Sequence, residues 1–269
     1  MKVQNKVIVV TGGGSGMGRE MVLNLLAKGA TVIALDINKT ALEETSALAG
    51  SNKEKLACYE LDITNKEAVE QCVDKIISVH KHVDGLINNA GIIQPFVKLN
   101  ELGYEEIERV IKVNFYGTLY MTKAFLPHLL TRPEAHIVNV SSMGGFLPVP
   151  GQTMYGATKA AVKLMTEGLR SELMDTTVRV SVVFPGAVST NITANSGLGN
   201  PSMAASKENN SFTMLSASKA AQLIIDGMEE NRYHILVGKD ARMMDLLSRL
   251  NPGYAAKLIY SKMKGLLVN

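Results

Sequence analysis

Short β-branched segments alternate with longer helical segments along almost the whole chain. Seven segments have the length and the apolar, β-branched character of buried strands, and they lie at 6–11, 31–36, 55–62, 84–91, 135–142, 178–186 and 233–238. Helical spacing of apolar residues fills the intervals at 18–29, 39–49, 65–80, 101–130, 153–174 and 217–230. Strands that alternate with helices form a parallel sheet covered on both faces. The sequence therefore predicts an α/β fold with a doubly wound parallel sheet in three α/β/α layers.

We expect one domain over residues 1–238 and a helical extension over residues 239–269. The extension repeats apolar residues at helical intervals that are interrupted at Pro252, and it carries six Lys or Arg against two Asp. Such an amphipathic basic tail either packs on its own domain or a neighbouring subunit, or it lies on an anionic membrane surface. We favour packing against protein.

Composition excludes several classes of protein. The net charge of +3 is too small to indicate nucleic-acid binding, and charged residues make up only 20% of the chain. Cys58 and Cys72 stand beside apolar residues and are expected to be small buried side chains rather than disulfide or metal ligands. No apolar run reaches the ~18 residues of a membrane span, and the N-terminal segment has no signal-peptide pattern. We expect no metal and a location in the reducing cytoplasm.

A glycine-rich turn follows the first predicted strand. The stretch "VIVVTGGGSGMGRE" places five glycines, the first being Gly12 and the last Gly18, between a strand and a helix. Small residues let the backbone approach a phosphate, and the helix that follows offers free N–H groups. Asp36 ends the second strand 18 residues after Gly18, near the spacing at which an acid binds the adenosine ribose in a Rossmann fold. Its carboxylate would repel a 2′-phosphate, which favours NAD over NADP, although Asp36 could also be a helix cap.

A tyrosine and a lysine stand four residues apart at the start of a predicted helix. Tyr155 and Lys159 lie one turn apart, so the ammonium would favour the phenolate and bring the tyrosine toward acid–base chemistry. Ser142 ends the preceding strand, at the edge of the sheet where ligands bind. Ser142 and Tyr155 can therefore both bond one substrate oxygen.

These motifs together resemble the short-chain dehydrogenase/reductase family. The turn reads TGxxxGxG from Thr11 to Gly18, "NNAG" follows at 88–91, and YxxxK spans 155–159. The resemblance covers about residues 3 to 238 and implies an oxidoreductase with a dinucleotide cofactor. It makes Tyr155 the general acid/base and assigns the catalytic role to the second serine of the pair, which is Ser142.

The family pattern implies further roles. Lys159 would bond the nicotinamide ribose, Asn114 would hold a water in a proton relay, and Thr190 would bond the carboxamide. The expected catalytic residues are Ser142, Tyr155, Lys159 and Asn114. The expected cofactor-binding residues are Gly12, Ser15, Gly16, Met17, Gly18, Asp36, Asp62, Ile63, Asn89, Ala90, Gly91, Tyr155, Lys159, Pro185, Val188 and Thr190.

The substrate is inferred from the residues near the predicted site. They are mostly apolar with two amides, namely Gln94, Phe96, Met143, Phe146, Leu147, Val149, Gln152 and Met154. This composition favours an uncharged, apolar secondary alcohol or ketone with NAD; the alternative is an NADPH-dependent 3-oxoacyl or carbonyl reductase. A non-catalytic dinucleotide sensor would have no need of the proton donor Tyr155.

Two further expectations concern assembly and substrate access. The polar stretch 189–215 is expected to close over the substrate, with an inert insertion as the alternative. The helices at 101–130 and 153–174 carry apolar residues on more than one face. In the family these two helices form the main dimer interface, so we expect a homo-oligomer, a tetramer in the first place.

Overall fold

A parallel sheet of seven strands lies at the centre of the computed structural model, which describes residues 1–198 and 214–267. The strand order is β3-β2-β1-β4-β5-β6-β9. These strands are β1 (Val7–Thr11), β2 (Thr31–Asp36), β3 (Leu56–Glu60), β4 (Gly85–Asn88), β5 (Ala135–Val140), β6 (Val178–Pro185) and β9 (His234–Val237). The order turns back between β1 and β4, which places the carboxyl ends of both halves beside one crevice. The predicted doubly wound sheet is confirmed.

Helices cover both faces of the sheet. One layer contains α1 (Gly16–Ala27), α2 (Lys39–Leu48) and α8 (Ala217–Glu229). The other contains α3 (Lys66–His80), α4 (Tyr104–Ile111), α5 (Thr118–Leu130) and α6 (Thr153–Glu172). Alternate residues of a strand pack against opposite helix layers: in β1, Ile8 and Val10 belong to one apolar cluster, and Val7 and Val9 belong to the other.

The predicted long helix at 101–130 is interrupted. A short turn at 99–101 precedes α4, and a π-helical segment, Lys112–Gly117, separates α4 from α5. The π-helical turn contains Asn114, and such turns are frequent at functional sites. Apolar spacing carried on through this segment, so the sequence pattern did not reveal the break.

Two helices follow the last strand of the sheet. They are α9 (Lys239–Leu250) and α10 (Pro252–Met263), and Pro252 stands at the start of α10 where its missing N–H has no consequence. Met244, Ala255 and Ile259 are buried against Leu147 of the loop after β5. The tail therefore packs on its own domain, and no helix among the described residues is long and apolar enough to cross a membrane.

Two expectations outside the core had different outcomes. Cys58 is exposed rather than buried, because β3 is an edge strand with a neighbour on one side alone. The stretch 189–215 includes α7 (Ile192–Asn195) and overlaps at its two ends with β7 (Val188–Ser189) and β8 (Leu215–Ser216), which pair with each other. The expected closure over the substrate falls mainly on residues 199–213, which lie outside the described residues.

Candidate active site

The glycine turn after β1 is shaped by close backbone contacts. Gly12 has φ +69°, and a Cβ there would lie 2.9 Å from Asn89 Nδ2. A Cβ on Gly18 would collide with the carbonyl oxygen of Gly12, so the first turn of α1 lies directly on the glycine turn. Thr11 joins this turn to the strand beside it, since its Oγ1 accepts the N–H groups of Asn89 (3.0 Å) and Ala90 (3.1 Å).

Asp36 ends β2 at the rim of the same turn. Its Oδ2 accepts the Gly14 N–H at 2.9 Å and its Oδ1 accepts the Asn38 N–H at 3.0 Å. The N-cap of α2 is Asn38, whose side chain accepts the Ala41 N–H, so Asp36 is not the helix cap. Its carboxylate keeps free lone pairs on a half-buried side chain that faces the cleft.

A cleft of about 790 Å³ runs along the carboxyl ends of the strands. It is lined by eleven of the predicted cofactor residues, namely Gly12, Ser15, Gly16, Met17, Asp36, Asp62, Ile63, Asn89, Ala90, Gly91 and Thr190. The volume falls in the range of ligand sites, roughly 300–1,000 Å³. The cleft therefore gathers residues from 12 to 190 into one elongated site.

Five predicted cofactor residues do not line this cleft. Gly18 is buried beneath the turn, where its role is the packing described above. Pro185 ends β6 and Val188 begins β7, both behind the lining residue Thr190. Tyr155 and Lys159 lie on α6, at the end of the cleft that Gly91 lines. A Cβ on Gly91 would lie 3.1 Å from Lys159 Nζ, so the cleft and the α6 residues are contiguous.

Tyr155 is brought together with Ser142. Both side chains flank Gly144, where a Cβ would lie 3.4 Å from Tyr155 Cε1 and 3.5 Å from Ser142 Oγ, and Ser142 Oγ accepts the Gly144 N–H at 3.0 Å. Ser141 points the other way: it is buried and its hydroxyl donates to the Lys159 carbonyl at 2.7 Å. The geometry thus pairs the second serine with the tyrosine, as the family pattern implies.

Burial sets the protonation of Tyr155 and Lys159. It raises the pKa of Tyr155, against which the Ser142 hydrogen bond acts in the lowering direction. Burial lowers the pKa of Lys159 from its ordinary 10.5 to about 8. The Lys159 ammonium lies 6.0 Å from the Tyr155 ring centroid and donates to the Val140 carbonyl at 3.0 Å. The tyrosine pKa is therefore shifted opposite to the direction that we expected from the ammonium, because desolvation of the phenolate outweighs the distant charge.

Asn114 fixes the loop between the cleft and α6. Its amide forms a matched pair with the Ile92 backbone, with Ile92 N–H to Oδ1 and Nδ2 to the Ile92 carbonyl both at 2.9 Å. Asn114 Nδ2 also donates to Thr158 Oγ1 at 3.2 Å. A Cβ on Gly91 would be 3.1 Å from Asn114 Oδ1 as well as from Lys159 Nζ. Asn114 and Lys159 therefore converge on one glycine of the cleft.

The sequence did not identify Arg19 and Thr45 as supports of the glycine turn. Arg19 Nε donates to the Gly14 carbonyl at 2.8 Å, and the Arg19 guanidinium also pairs with Glu44 at 2.6 Å. Thr45 Oγ1 donates to the Gly13 carbonyl at 3.0 Å. The Arg19 guanidinium is thus engaged by carbonyl and carboxylate groups. The one sequence signal for the contact with the glycine turn is the position of Arg19 directly after Gly18.

The segment after Thr190 crosses over the glycine turn. Asn195 Nδ2 donates to Ser15 Oγ at 2.7 Å, and Ser196 Oγ accepts the Ile93 N–H at 3.0 Å. Arg109 donates to the Ser196 carbonyl at 2.9 Å. These contacts bring α7 against the cleft, and the sequence pattern did not predict them because they join residues about 90 or more positions apart.

The two amides expected near the substrate are used elsewhere. Gln94 and Gln152 are buried, and Gln152 Nε2 donates to the Gln94 carbonyl at 2.7 Å. Phe146 packs edge-on against Phe184 at 5.4 Å, and Leu147 is buried under the C-terminal helices. Phe146 and Leu147 therefore pack within the protein, and the amides hold the start of α6.

Known proteins with similar sequences and structures point in one direction. The family model described as short chain dehydrogenase matches residues 6–200. The putative oxidoreductase SadH of Mycobacterium tuberculosis is 34% identical over 92% of this chain and 91% of its own length. The 3-oxoacyl-[acyl-carrier-protein] reductase FabG of Thermotoga maritima is 36% identical over 72% of this chain and 78% of its own length.

Two solved structures share the fold over almost the full chain. A short chain dehydrogenase/reductase from Burkholderia phymatum in complex with NAD has a TM-score of 0.81 and 26% identity, and the match covers 93% of this chain and 96% of that one. A short chain dehydrogenase from Burkholderia cenocepacia in complex with NADP has a TM-score of 0.79 and 26% identity, with 98% and 99% covered. Similar proteins thus bind either nicotinamide cofactor.

Proposed function

The chain belongs to the short-chain dehydrogenase family of oxidoreductases, and on that premise we propose that it transfers a hydride between NAD(H) and an uncharged, apolar secondary alcohol or ketone. The observation that carries this proposal is the contact of Ser142 with Tyr155 beside a glycine-lined cleft. A proton donor thus stands next to a place for a dinucleotide, which is what a carbonyl reduction requires.

The residues of the cleft fit a dinucleotide. The close approach around Gly12 leaves no room for a side chain, and the start of α1 has no side-chain cap on its free N–H groups. Such a turn and helix end suit a pyrophosphate. Asp36 would accept hydrogen bonds from a ribose diol, and Asp62, after the neighbouring strand β3, would bond the adenine. When bound, the nicotinamide supplies or accepts the hydride.

The protein's own residues would handle the proton and the orientation of the substrate. Because burial raises the pKa of Tyr155, its hydroxyl is protonated at neutral pH and can give a proton to a carbonyl oxygen. Ser142 would donate a second hydrogen bond to the same oxygen. In the direction of alcohol oxidation Tyr155 would act as the base, and the Lys159 ammonium, 6.0 Å from its ring centroid, would favour the phenolate.

The substrate class is inferred from what surrounds Tyr155. The half-buried Met143 belongs to the apolar cluster that includes Met244 and Ile259 of the tail, and Met154 precedes the tyrosine. These side chains favour an apolar group on the carbon that bears the oxygen. On this proposal residues 1–238 form the catalytic domain, and residues 239–269 are an extension that backs the substrate side.

The proposal is tested by a panel of secondary alcohols with NAD and NADP, followed as absorbance of the reduced nicotinamide. Activity with apolar alcohols and a higher kcat/KM for NAD are expected. We predict that Asp36→Ala lowers the ratio of kcat/KM for NAD to that for NADP by about 10-fold or more, because the carboxylate repels the 2′-phosphate and bonds the ribose.

The matched control for this variant is Asp62→Ala, a second carboxylate of the cleft, which follows the neighbouring strand β3. It removes a carboxylate from the adenine side, so it should weaken both cofactors to a similar extent and leave their ratio unchanged. An unchanged ratio in Asp36→Ala itself would contradict the assignment of NAD preference to this carboxylate.

A second candidate function is an NADPH-dependent 3-oxoacyl or carbonyl reductase. The Thermotoga maritima relative and the NADP complex of the similar Burkholderia cenocepacia protein favour it. Two features argue against NADPH. The Asp36 carboxylate would repel its 2′-phosphate, and the Arg19 guanidinium is already paired with the Gly14 carbonyl and with Glu44. The same cofactor comparison separates the two candidates, since a reductase of this kind would prefer NADPH with a 3-oxoacyl thioester.

We propose a homo-oligomer, and the helices α5 and α6 support it only in part. Phe125, Leu129 and Val162, apolar residues of these two helices, are fully buried in the domain core and add nothing to an interface. Large apolar side chains of these helices and of the preceding π-helical turn remain exposed, namely Tyr116 at 41%, Leu130 of α5 at 43% and Leu164 of α6 at 69%. Self-association would remove this surface from water.

We predict a tetramer in sedimentation velocity at micromolar concentration. Leu164→Glu places a charge on the exposed face of α6 and is expected to reduce the assembly to smaller species without unfolding it. Leu246→Glu, a control on the exposed side of the tail helix α9, should leave the assembly intact. A wild-type sedimentation coefficient that fits a 29.0 kDa particle would contradict the prediction.

Location and partners are proposed from the cysteines, the net charge and the packing of the tail. A cytoplasmic location is proposed from the two free thiols Cys58 and Cys72. The small net charge of +3 supports the proposal that the partners are small molecules rather than nucleic acid. Contact of the tail with a membrane surface is not favoured, because α9 and α10 already pack on the domain through Met244 and Ile259.

A further inference from the structure

Gln94 lies completely buried between the cofactor loop after β4 and the start of the catalytic helix α6. Its Oε1 accepts the backbone N–H groups of both Met154 and Tyr155 at 2.9 Å. We propose that Gln94 is a positioning residue for Tyr155, which caps α6 from another part of the chain and fixes the first helical turn in front of the substrate. This inference rests on the proposed function, since it takes Tyr155 as the proton donor.

The start of α6 needs such a cap. The first N–H groups of a helix have no partner within it, and a buried N–H left unpaired is costly. The residue at the N-cap position is Gln152, and its side chain makes no capping bond. The side chain of Gln94, about 60 residues earlier in the chain, makes the capping bonds instead. Because one of the two bonds is made by the Tyr155 backbone itself, the cap acts on the catalytic residue directly.

The Gln94 side chain is held at both ends of its amide. Two N–H donors face one atom, which must be the oxygen, while the Gly151 carbonyl faces the other at 2.9 Å, which must be the nitrogen. Gln152 Nε2 in turn donates to the backbone carbonyl of Gln94 at 2.7 Å. A glutamine is therefore the side chain that satisfies acceptor and donor roles together at this position.

The same loop also touches the cofactor side of the site. Ile92, two residues before Gln94, pairs with Asn114, and Ile93 donates its N–H to Ser196. One short segment thus joins the cleft, the π-helical turn and the catalytic helix. We infer that Gln94 keeps the tyrosine at a fixed place relative to the cofactor loop, so its loss should affect the chemical step and not cofactor binding.

The test compares two substitutions in the full-length protein. Gln94→Met has a similar length but neither accepts nor donates at these positions, and kcat is expected to fall by about 10- to 100-fold, the cost of a displacement near 1 Å. The KM for NAD should change by less than about twofold. Gln94→Glu still accepts both N–H bonds, so its kcat should lie closer to that of the wild type than that of Gln94→Met.

Hydrogen exchange supplies a readout that does not depend on turnover. In the wild type the amides of Met154 and Tyr155 should exchange slowly, and in Gln94→Met they should exchange at least about 10-fold faster. Thr166→Val is the matched control on the same helix, three turns beyond Tyr155: it removes a buried hydroxyl that accepts a hydrogen bond of 3.0 Å from Asn139 Nδ2 of β5. It should leave kcat and these two amides unchanged.

Two results would overturn the inference. One is a Gln94→Met protein with the wild-type kcat and slow exchange at the start of α6. The other is a loss of kcat that Gln94→Glu shares in full, which would assign the amide a different role. Tyr155→Phe in the same assay distinguishes failure of this inference from failure of the proposed function. If Tyr155→Phe stays active, the role of the tyrosine as proton donor is refuted. If Tyr155→Phe is inactive and Gln94→Met is fully active, only the positioning role is refuted.

Discussion

Replacement of Tyr155 by phenylalanine should reduce turnover by at least about 100-fold while NADH binding stays close to that of the wild type. The ring remains, so packing at the start of α6 is preserved, but the hydroxyl that meets Ser142 is lost. The proton then has no donor at the substrate oxygen. Steady-state rates in both directions and a fluorescence titration with NADH measure the two quantities separately.

The pH dependence of the wild type adds a second expectation for this tyrosine. Because burial raises the pKa of Tyr155, the protonated form persists through neutral pH in the free protein. Carbonyl reduction should therefore hold its rate to high pH, and alcohol oxidation should rise with pH. Tyr233→Phe, at a partly exposed tyrosine beside the amino end of β9, is the control and should retain full turnover. Retention of more than half the wild-type rate in Tyr155→Phe would refute the assignment.

The sequence predicted those parts of the fold that depend on local patterns. Each sheet strand was found within a few residues of its predicted place because buried parallel strands have continuous β-branched runs. Gly12 and Asp36 were recognisable for the same reason: both stand at fixed offsets from a strand end. The contact of Ser142 with Tyr155 followed from the ends of β5 and the start of α6, which meet at one edge of the sheet.

Other features depend on which neighbour a residue meets, and the sequence pattern does not contain that information. Gln94 was expected near the substrate, yet it faces the start of a helix far along the chain. Cys58 was expected to be buried, but its strand is at the edge of the sheet. The break at Lys112–Gly117 is hidden by apolar spacing that both the α and the π turn satisfy. The contacts of Gln94, the exposure of Cys58 and the helix break all depend on the arrangement of the surrounding elements.

The protonation of the active site was also beyond the sequence. Spacing placed an ammonium one turn from the Tyr155 phenol, and that alone predicted a lowered tyrosine pKa. In the structure only 4% of the Lys159 surface is exposed, and its ammonium donates a hydrogen bond to the Val140 carbonyl. Burial acts on both groups and disfavours both charges. The site therefore holds a cation that the fold would be more stable without, and this is expected of residues that serve catalysis rather than folding.

Lys159→Met should make the protein more stable at neutral pH and at the same time lower turnover by at least about 100-fold. The pKa of Lys159 is lowered to about 8 from 10.5, so at pH 7 its charge costs the folded state on the order of 3 kcal/mol. Loss of the hydrogen bond to the Val140 carbonyl offsets about 1 kcal/mol of the gain. We therefore expect the free energy of unfolding to rise by roughly 2 kcal/mol at pH 7 without cofactor.

The pH dependence gives this prediction its sharpest test. Between about pH 8 and 10.5 the unfolded chain holds a proton on Lys159 that the folded protein has released, so wild-type stability gains from this group as the pH rises. The advantage of Lys159→Met in urea unfolding should therefore shrink across that window and be largest below it. Lys163→Met is the control, because it removes only a partly exposed ion pair with Glu167, worth at most about 1 kcal/mol, and should keep its turnover. A Lys159→Met protein less stable than the wild type at pH 7, or an advantage that does not change with pH, would show that the folded protein bears no cost for this charge.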